Sequence, residues 1–216
     1  MDCPSNRVNA WSDIVIRSAP EIAPFVLAIM QAESDGDPAA VNARSGATGL
    51  MQLMRSTYED CAIDPLIPEE NIMCGINLIR KIRKTLNMVD PERFKTYGLP
   101  NEFERKVIAA GYNIGWSLQA GIAGDMRKYK GRSYTEFLSM FPKYRNISAS
   151  GIPRGENYVN KVEKLTNDWT DFLSGAGSKP SIPVAIRKRP KTSVTIFGMV
   201  LLALYFLVER CDVVFK

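Results

Sequence analysis

Glu33 is the residue of this sequence whose type and position best suit acid catalysis. It closes a predicted helix that begins near Pro24 and is apolar on almost every side, and one turn back it meets Ile29 and Met30. Burial and the negative end of the helix dipole both disfavour a carboxylate, so we expect the pKa of Glu33 to be raised. A carboxyl group that keeps its proton near neutral pH suits protonation of a glycosidic oxygen. Glutamates near helix ends are more often simply solvated, so the expectation depends on the surrounding sequence.

A segment with two glycines follows the acid at residues 45–54, which read Ser-Gly-Ala-Thr-Gly-Leu-Met-Gln-Leu-Met. The glycines permit a tight turn, and apolar and amide side chains come directly after them. We expect this turn to bring Gln52 and Met54 back beside Glu33.

These motifs resemble those of the lytic transglycosylases of the soluble, goose-lysozyme-like type, over most of residues 24–162. The strongest element is specific and long, and weaker elements follow in the family's order. The strongest element is Glu33-Ser34, Pro38 and residues 46–54 with Thr57; the weaker ones are Asn71-Ile72 with Gly75, residues 110–115, and Ile152-Pro153 with residues 156–159 and Val162.

The resemblance implies a substrate-assisted mechanism with one carboxyl group. Ordinary glycosidases need two carboxylates, whereas this sequence presents only one strong candidate. Glu33 would protonate the bond after N-acetylmuramic acid while the acetamido oxygen of that sugar stabilises the positive centre. Ionised Glu33 would then deprotonate the C6 hydroxyl, which closes a 1,6-anhydro ring. The alternatives are a muramidase that transfers the sugar to water, and a non-catalytic wall-binding or membrane subunit.

The resemblance also implies substrate-binding residues with amide, phenol, carboxyl and thioether side chains. Each has a structural alternative. Tyr158 could place its hydroxyl near the acetamido group or the developing charge, or it could be a core or rim tyrosine. Glu156 could orient the acid or bind sugar, or it could begin the last helix. The family's acid-assisting serine falls on Asn42 or on Ser45, depending on which flanking motif sets the spacing, and both remain open. The other candidates are Gln52, Met54, Tyr112 and Asn113.

Two further departures from the family pattern concern its later motifs. Arg55 stands where the family often has a proline that favours a helix start, which should leave fold and catalysis intact. The last motif is shorter by two residues than the family's, so the alignment of Glu156 and Tyr158 stays open.

Apolar residues recur every three or four positions along most of the chain, which predicts an all-α fold. The resemblance implies that residues 1–173 form a lysozyme-like domain. Short Pro, Gly and Asn segments separate the helices, and few segments alternate as strands do. Beyond the helix that ends with the acid, we predict helices at about 13–19, 56–61, 72–86, 103–112, 134–140 and 156–173.

The cysteine pattern argues against a metal site. The chain has 4 cysteines and no histidine, and no two cysteines form a CxxC pair. We therefore expect neither a metal nor a cofactor. Cys61 and Cys74 could form a disulfide, but two small buried thiols are favoured.

The C-terminal part of the sequence predicts a membrane anchor. Residues 174–191 are rich in Gly, Pro and basic residues and read as a flexible linker, and residues 192–208 form a run of about 17 uncharged residues. We expect a transmembrane helix at 192–208 and a short tail at 209–216. The net charge of +5 is partly the basic cluster at 187–191, so it is weak evidence for nucleic acid, and we expect no specific nucleic-acid partner.

The location of the domain follows from charge and from the polar N-terminus. Residues 1–12 lack the apolar segment of a secretory signal, and the basic cluster before the span places residues 1–190 in the cytoplasm by the positive-inside rule. A wall-cleaving enzyme is useful there only if its membrane is later delivered elsewhere. We therefore expect a phage virion with an internal membrane, with other virion or envelope proteins as further partners; the alternative is a bacterial inner-membrane or conjugation enzyme.

Overall fold

The computed structural model describes residues 4–114 and 151–175, and over these residues the chain is helical. The described part contains no strand, and Thr48 alone pairs with Val41 and Leu53 in isolated β-bridges. This confirms the expected helical fold for the described residues. The helices are α1 (Asn6–Asn9), α2 (Ser12–Ser18), a short 3-10 turn (Pro20–Ile22), α3 (Ala23–Glu33), α4 (Arg55–Asp60), α5 (Pro68–Val89), α6 (Glu102–Ile114) and α7 (Gly151–Leu173).

Helix α3 is the centre of the core, as its apolar sequence predicts. Pro24 lies in its first turn, where a missing N–H costs nothing. The six residues from Phe25 to Met30 are all fully buried, so no face of the helix between them reaches solvent. The helix ends at Glu33, with Ser34 as its C-cap. The candidate acid therefore stands where a buried helix reaches the surface.

Helix α7 packs along α3 and is also fixed to α6. The indole Nε1–H of buried Trp169 donates to the side-chain oxygen of Gln31 at 2.8 Å. Arg105 of α6 binds the carboxylate of Glu163 through two nitrogens, with Nε at 2.8 Å. A charged pair with this bidentate geometry sets both spacing and orientation. The position of α7 on the acid helix is thus determined from two sides.

The N-terminal helices hold the turn that follows the acid. Trp11 donates its indole N–H to the carbonyl oxygen of Gly36 at 3.1 Å, and Arg7 pairs with Asp37 at 3.4 Å. Gly36 has φ +76, and a Cβ there would lie 2.6 Å from the backbone of Arg7. Only glycine fits this position without displacement of α1.

Cys61 and Cys74 form a disulfide, so the prediction of two separate thiols is wrong. A sequence separation of 13 is compatible with a disulfide and with two free thiols. The sequence does not reveal that the residue after α4 lies against α5. The bond joins these two helices.

Two buried charged side chains hold the connection between α5 and α6. Arg83 donates to the carbonyl oxygens of Gly98 and Tyr97 at 2.7 and 2.9 Å. Glu104 accepts the backbone N–H groups of Lys95 and Asn101. The chain between the helices is therefore tied to both of them.

The helices predicted within the described residues agree in place with observed ones and differ at their ends, and α1 was not predicted. The helix predicted at 72–86 runs from Pro68 to Val89, because Pro68 and two acidic residues form a favourable first turn that periodicity does not detect. The helix predicted at 134–140, the linker at 174–191 beyond residue 175, the span at 192–208 and the tail lie outside the described residues. Within 4–114 and 151–175, no helix has the length and apolar character needed to cross a membrane.

Candidate active site

The carboxyl group of Glu33 lies half-buried at the end of α3. Burial raises its pKa from 4.5 to about 7, against opposing effects of a hydrogen bond from Tyr158 and the charge of Lys161. This confirms the expected direction. Desolvation is the dominant cause, so the pKa depends on what covers the carboxyl group.

Tyr158 of α7 donates its hydroxyl to Oε1 of Glu33 at 2.6 Å. Burial, followed by the negative charge of Glu33, raises the pKa of the Tyr158 phenol well above its usual value, so the phenol keeps its proton. A phenolic O–H can donate to a carboxylate and equally to the carbonyl oxygen of a protonated carboxyl group. The contact therefore persists in both protonation states of the acid. The structure places this hydroxyl on the acid itself and packs the ring against the core, and a contact with the acetamido group stays a prediction.

Tyr112 of α6 donates its hydroxyl to the carbonyl oxygen of Met51 at 2.7 Å. Burial first, and then the charge of Glu33, raises the pKa of this phenol well above its usual value. The charge of Glu33 thus raises the pKa of both phenols, and Tyr112 bonds to the turn that Ser34 fastens to the end of α3. The O–H of Tyr112 is used to hold the turn after the acid, and its predicted contact with substrate is untested.

The turn at residues 46–54 is fastened directly to the end of α3. Ser34 donates its hydroxyl to the carbonyl oxygen of Leu50 at 2.7 Å and accepts the N–H of Gly36 at 3.1 Å. One side chain thus links the C-cap of the acid helix to the middle of the turn. This explains physically why a serine after Glu33 belongs to the pattern.

Asn71 holds the same turn from the opposite side. Its fully buried amide accepts the N–H of Met51 at 2.8 Å and donates to the carbonyl oxygens of Thr48 and Pro65. Gly49 has φ +80, and a Cβ there would lie 2.3 Å from both the Asn71 amide and the Pro65 carbonyl. The glycine and the asparagine are therefore needed together.

Position 75 on α5 also requires glycine for steric reasons. A Cβ at this position would lie 2.7 Å from the side chain of Met51, which is fully buried. The weaker motif Asn71-Ile72 with Gly75 is thus a platform for the turn.

Gln52 and Met54 lie at the end of the turn. Gln52 has φ +46, and its side-chain NH₂ donates to the carbonyl oxygens of Ala40 and Gly49, each at 3.0 Å. Met54 precedes α4 and is 47% exposed, whereas its neighbour Met51 is in the core. Met54 is therefore accessible to a ligand, and the NH₂ group of Gln52 is engaged within the turn.

Asn42 and Ser45 are both exposed and are engaged in their own turn. The Asn42 side-chain oxygen accepts the N–H groups of Arg44 and Ser45 at 3.0 and 3.1 Å, and the Ser45 hydroxyl accepts the N–H of Ala47 at 3.3 Å. Neither side chain hydrogen bonds to Glu33 among the described contacts. An assisting role for either residue stays a prediction.

The last two candidates lie on α6 and α7. Asn113 is exposed near the end of α6. Glu156 belongs to α7, and its side chain lies outside the described part of the structure. Substrate binding by either residue stays a prediction.

Sequence reasoning missed Lys161 of α7, whose Nζ donates to the carbonyl oxygen of Ala32 at 3.3 Å. The available signal was its spacing of three from Tyr158, which places both on one face of a helix. Lysine is frequent on exposed helix faces, so this spacing alone is not specific.

In the part of the chain that the structure describes, no group of three His, Cys, Asp or Glu side chains could hold a metal ion. A cavity of about 290 Å³ lies beside the disulfide, and its lining includes Ile63, Glu69 and Met73 but none of the candidate site residues.

The chain matches the Transglycosylase SLT domain family over residues 18–134. This range includes Glu33, the turn at 46–54 and Tyr112, and it ends before α7. A comparison with curated proteins found no match.

Proposed function

This chain belongs to the Transglycosylase SLT domain family, and on that basis we propose that it is a lytic transglycosylase that acts on peptidoglycan. It cleaves the β-1,4 bond between N-acetylmuramic acid and N-acetylglucosamine and leaves a 1,6-anhydromuramyl end. The observation that carries this proposal is the carboxyl group of Glu33, which has a pKa of about 7 and a hydrogen bond from Tyr158.

The raised pKa supplies the acid for the first step. At pH 7 a carboxyl group with this pKa is protonated in about half of the molecules, compared with roughly 0.3% for a pKa of 4.5. Protonated Glu33 transfers its proton to the glycosidic oxygen as the C1–O bond breaks. The acetamido oxygen of the muramic acid bonds to C1 and takes up the positive charge.

The same carboxyl group then acts as the base. Glu33, now ionised, removes the proton of the C6 hydroxyl, O6 bonds to C1, and the bond from C1 to the acetamido oxygen breaks. Glu33 is protonated again, and no water is consumed. Because a pKa near the working pH favours both directions of transfer, one group serves both steps.

Tyr158 keeps the acid in place through this cycle. Its hydroxyl donates to Oε1, which leaves Oε2 to exchange the proton. The phenol cannot take over as the acid, because its own pKa is raised well above the usual value. Tyr158 therefore selects the oxygen that reacts.

A digest of purified sacculi tests the proposal. We expect the full chain to release anhydromuropeptides and Glu33→Gln to release none. A muramidase would give products heavier by one water, which mass spectrometry resolves. Equal lysis by wild type and Glu33→Gln would reject Glu33 as the acid, and no lysis by either protein would leave only a wall-binding role.

The proposal includes delivery by a membrane: residues 192–208 anchor the domain in the internal membrane of a phage particle, and the enzyme opens the wall locally during entry. The basic cluster before this segment and the linker at 174–191 support it. The Cys61–Cys74 disulfide fits a domain that works outside a reducing cytoplasm.

Recovery of the chain with purified particles, and protease protection of the domain in spheroplasts before particle release, test this location. Recovery only with the bacterial inner membrane would instead indicate an envelope enzyme.

A further inference from the structure

Lys161 connects the helix that carries Tyr158 to the end of the acid helix. It lies three residues after Tyr158 on α7, and its ammonium group donates to the carbonyl oxygen of Ala32, the residue before Glu33. The last four carbonyl groups of a helix have no partner within it, so this one is available for such a contact. Two neighbouring side chains of α7 therefore hold two successive residues of α3.

We propose that Lys161 is a positioning residue of the active site: it clamps the last turn of α3 against α7 and so fixes the hydrogen bond between Tyr158 and Glu33. The inference rests on the proposed function of Glu33 as the acid. Lys161 itself is exposed and takes no part in proton transfer.

The charge of Lys161 adds an electrostatic effect to the clamp. A cation at a helix C-terminus offsets the negative end of the dipole. The ammonium group lowers the pKa of Glu33, the opposite of the effect of burial. Among the described residues, the other titratable groups that interact with Glu33 are Tyr158 and Tyr112, while Arg7 of α1 is paired with Asp37 instead.

The two effects serve both steps of the reaction. Without a nearby cation the buried carboxyl group would hold its proton more tightly, which weakens it as an acid for the glycosidic oxygen. Without the clamp the end of α3 could move relative to the Tyr158 hydroxyl, and the reacting geometry would be populated less often.

The test compares Lys161→Met and Lys161→Arg with a matched control on the same helix. Lys164→Met removes an equal charge one turn further along α7, from an exposed lysine that pairs with Asp168 at 3.2 Å. Each full-chain variant is assayed on sacculi from pH 5 to 9, and the pKa of Glu33 is followed by carboxyl ¹³C NMR.

We expect Lys161→Met to lower the plateau kcat by about tenfold. It should also move the alkaline limb of the profile upward by on the order of 0.5 pH unit, because the lost cation favoured the ionised acid. Lys161→Arg should restore both properties. A role limited to folding would lower the active fraction and leave the limb in place.

The inference is overturned if either the plateau or the limb of Lys161→Met matches that of Lys164→Met. Failure of the proposed function is a separate result, because it requires Glu33→Gln to retain activity. An inactive Glu33→Gln together with an unmoved Lys161→Met profile would reject the clamp alone.

Discussion

The hydroxyl of Tyr158 lies 2.6 Å from Oε1 of Glu33, although 125 residues separate them in the chain. Each helix contributes one group to this contact. Helix α3 supplies a desolvated acid, and α7 supplies a hydrogen-bond donor that stays protonated. The hydrogen bond lowers the pKa that burial has raised. The acid strength of Glu33 is therefore set jointly by the two helices.

Removal of the Tyr158 hydroxyl should make Glu33 a weaker acid and leave its carboxyl group less well positioned. In Tyr158→Phe the pKa of Glu33 loses its largest opposing effect and rises, so the alkaline limb of the activity profile moves to higher pH. We expect kcat to fall by about tenfold or more, since a positioned donor is lost. Tyr97→Phe is the control, because Tyr97 is 75% exposed. An identical profile for both variants would contradict the role of Tyr158.

Glu33 should reduce the stability of the folded domain as pH rises. Its pKa is about 7 when folded and close to 4.5 when unfolded, so the folded state binds the proton more tightly. Its stabilising protonated form is fully present below pH 4.5 and is lost as pH rises through 7. Relative to Glu33→Gln, which does not titrate, wild type should lose on the order of 2–3 kcal/mol of unfolding free energy over this window.

Urea unfolding of both proteins between pH 4 and 8 measures this difference. A constant difference between wild type and Glu33→Gln across that range would mean that Glu33 is solvated when folded, and the site assignment would lose its basis.

Reduction of the disulfide should destabilise the domain. Cys61 and Cys74 close a loop with a sequence separation of 13, and the loss of such a cross-link costs about 3 kcal/mol of unfolding free energy. Urea titrations with and without dithiothreitol measure it. The Cys61→Ala/Cys74→Ala double variant is the control and should not respond to the reductant. Two free thiols at these positions in the unreduced, denatured chain would refute the bond.

Asn71→Ala should release the turn at 46–54. The substitution leaves the buried N–H of Met51 and the carbonyl oxygens of Thr48 and Pro65 without their partner, at a cost of about 2–4 kcal/mol. Wall lysis should fall with it, because Ser34 and Tyr112 anchor to the same turn. Asn77→Ala, at an exposed position of the same helix, serves as the reference. Equal melting temperatures for the two variants would argue against the platform.

The sequence predicted the parts of the site that depend on local pattern. The uninterrupted apolar residues after Pro24 predicted a buried helix, and its end predicted the raised pKa of Glu33. The glycines of the turn were identified because few other residues reach positive φ. These features need only neighbours within a few positions.

Contacts between distant segments were not predictable in the same way. The Tyr158 hydroxyl and the Lys161 ammonium group reach α3 only because α7 packs along it, and no periodicity encodes that pairing. The hydrogen bond from Tyr112 ends on the backbone carbonyl of Met51. Every residue has such a carbonyl, so the sequence does not identify the partner. The prediction of two separate thiols was wrong for the same reason. Only the packing of the residue after α4 against α5 brings Cys61 to Cys74.

The dependence of Glu33 on α7 also has a consequence for the order of events during synthesis. Helix α3 leaves the ribosome long before residues 151–173 are made, and until α7 docks, the carboxyl group of Glu33 lacks its hydrogen bond from Tyr158. The arrangement around Glu33 is therefore complete only after α7 has been synthesised and has packed along α3.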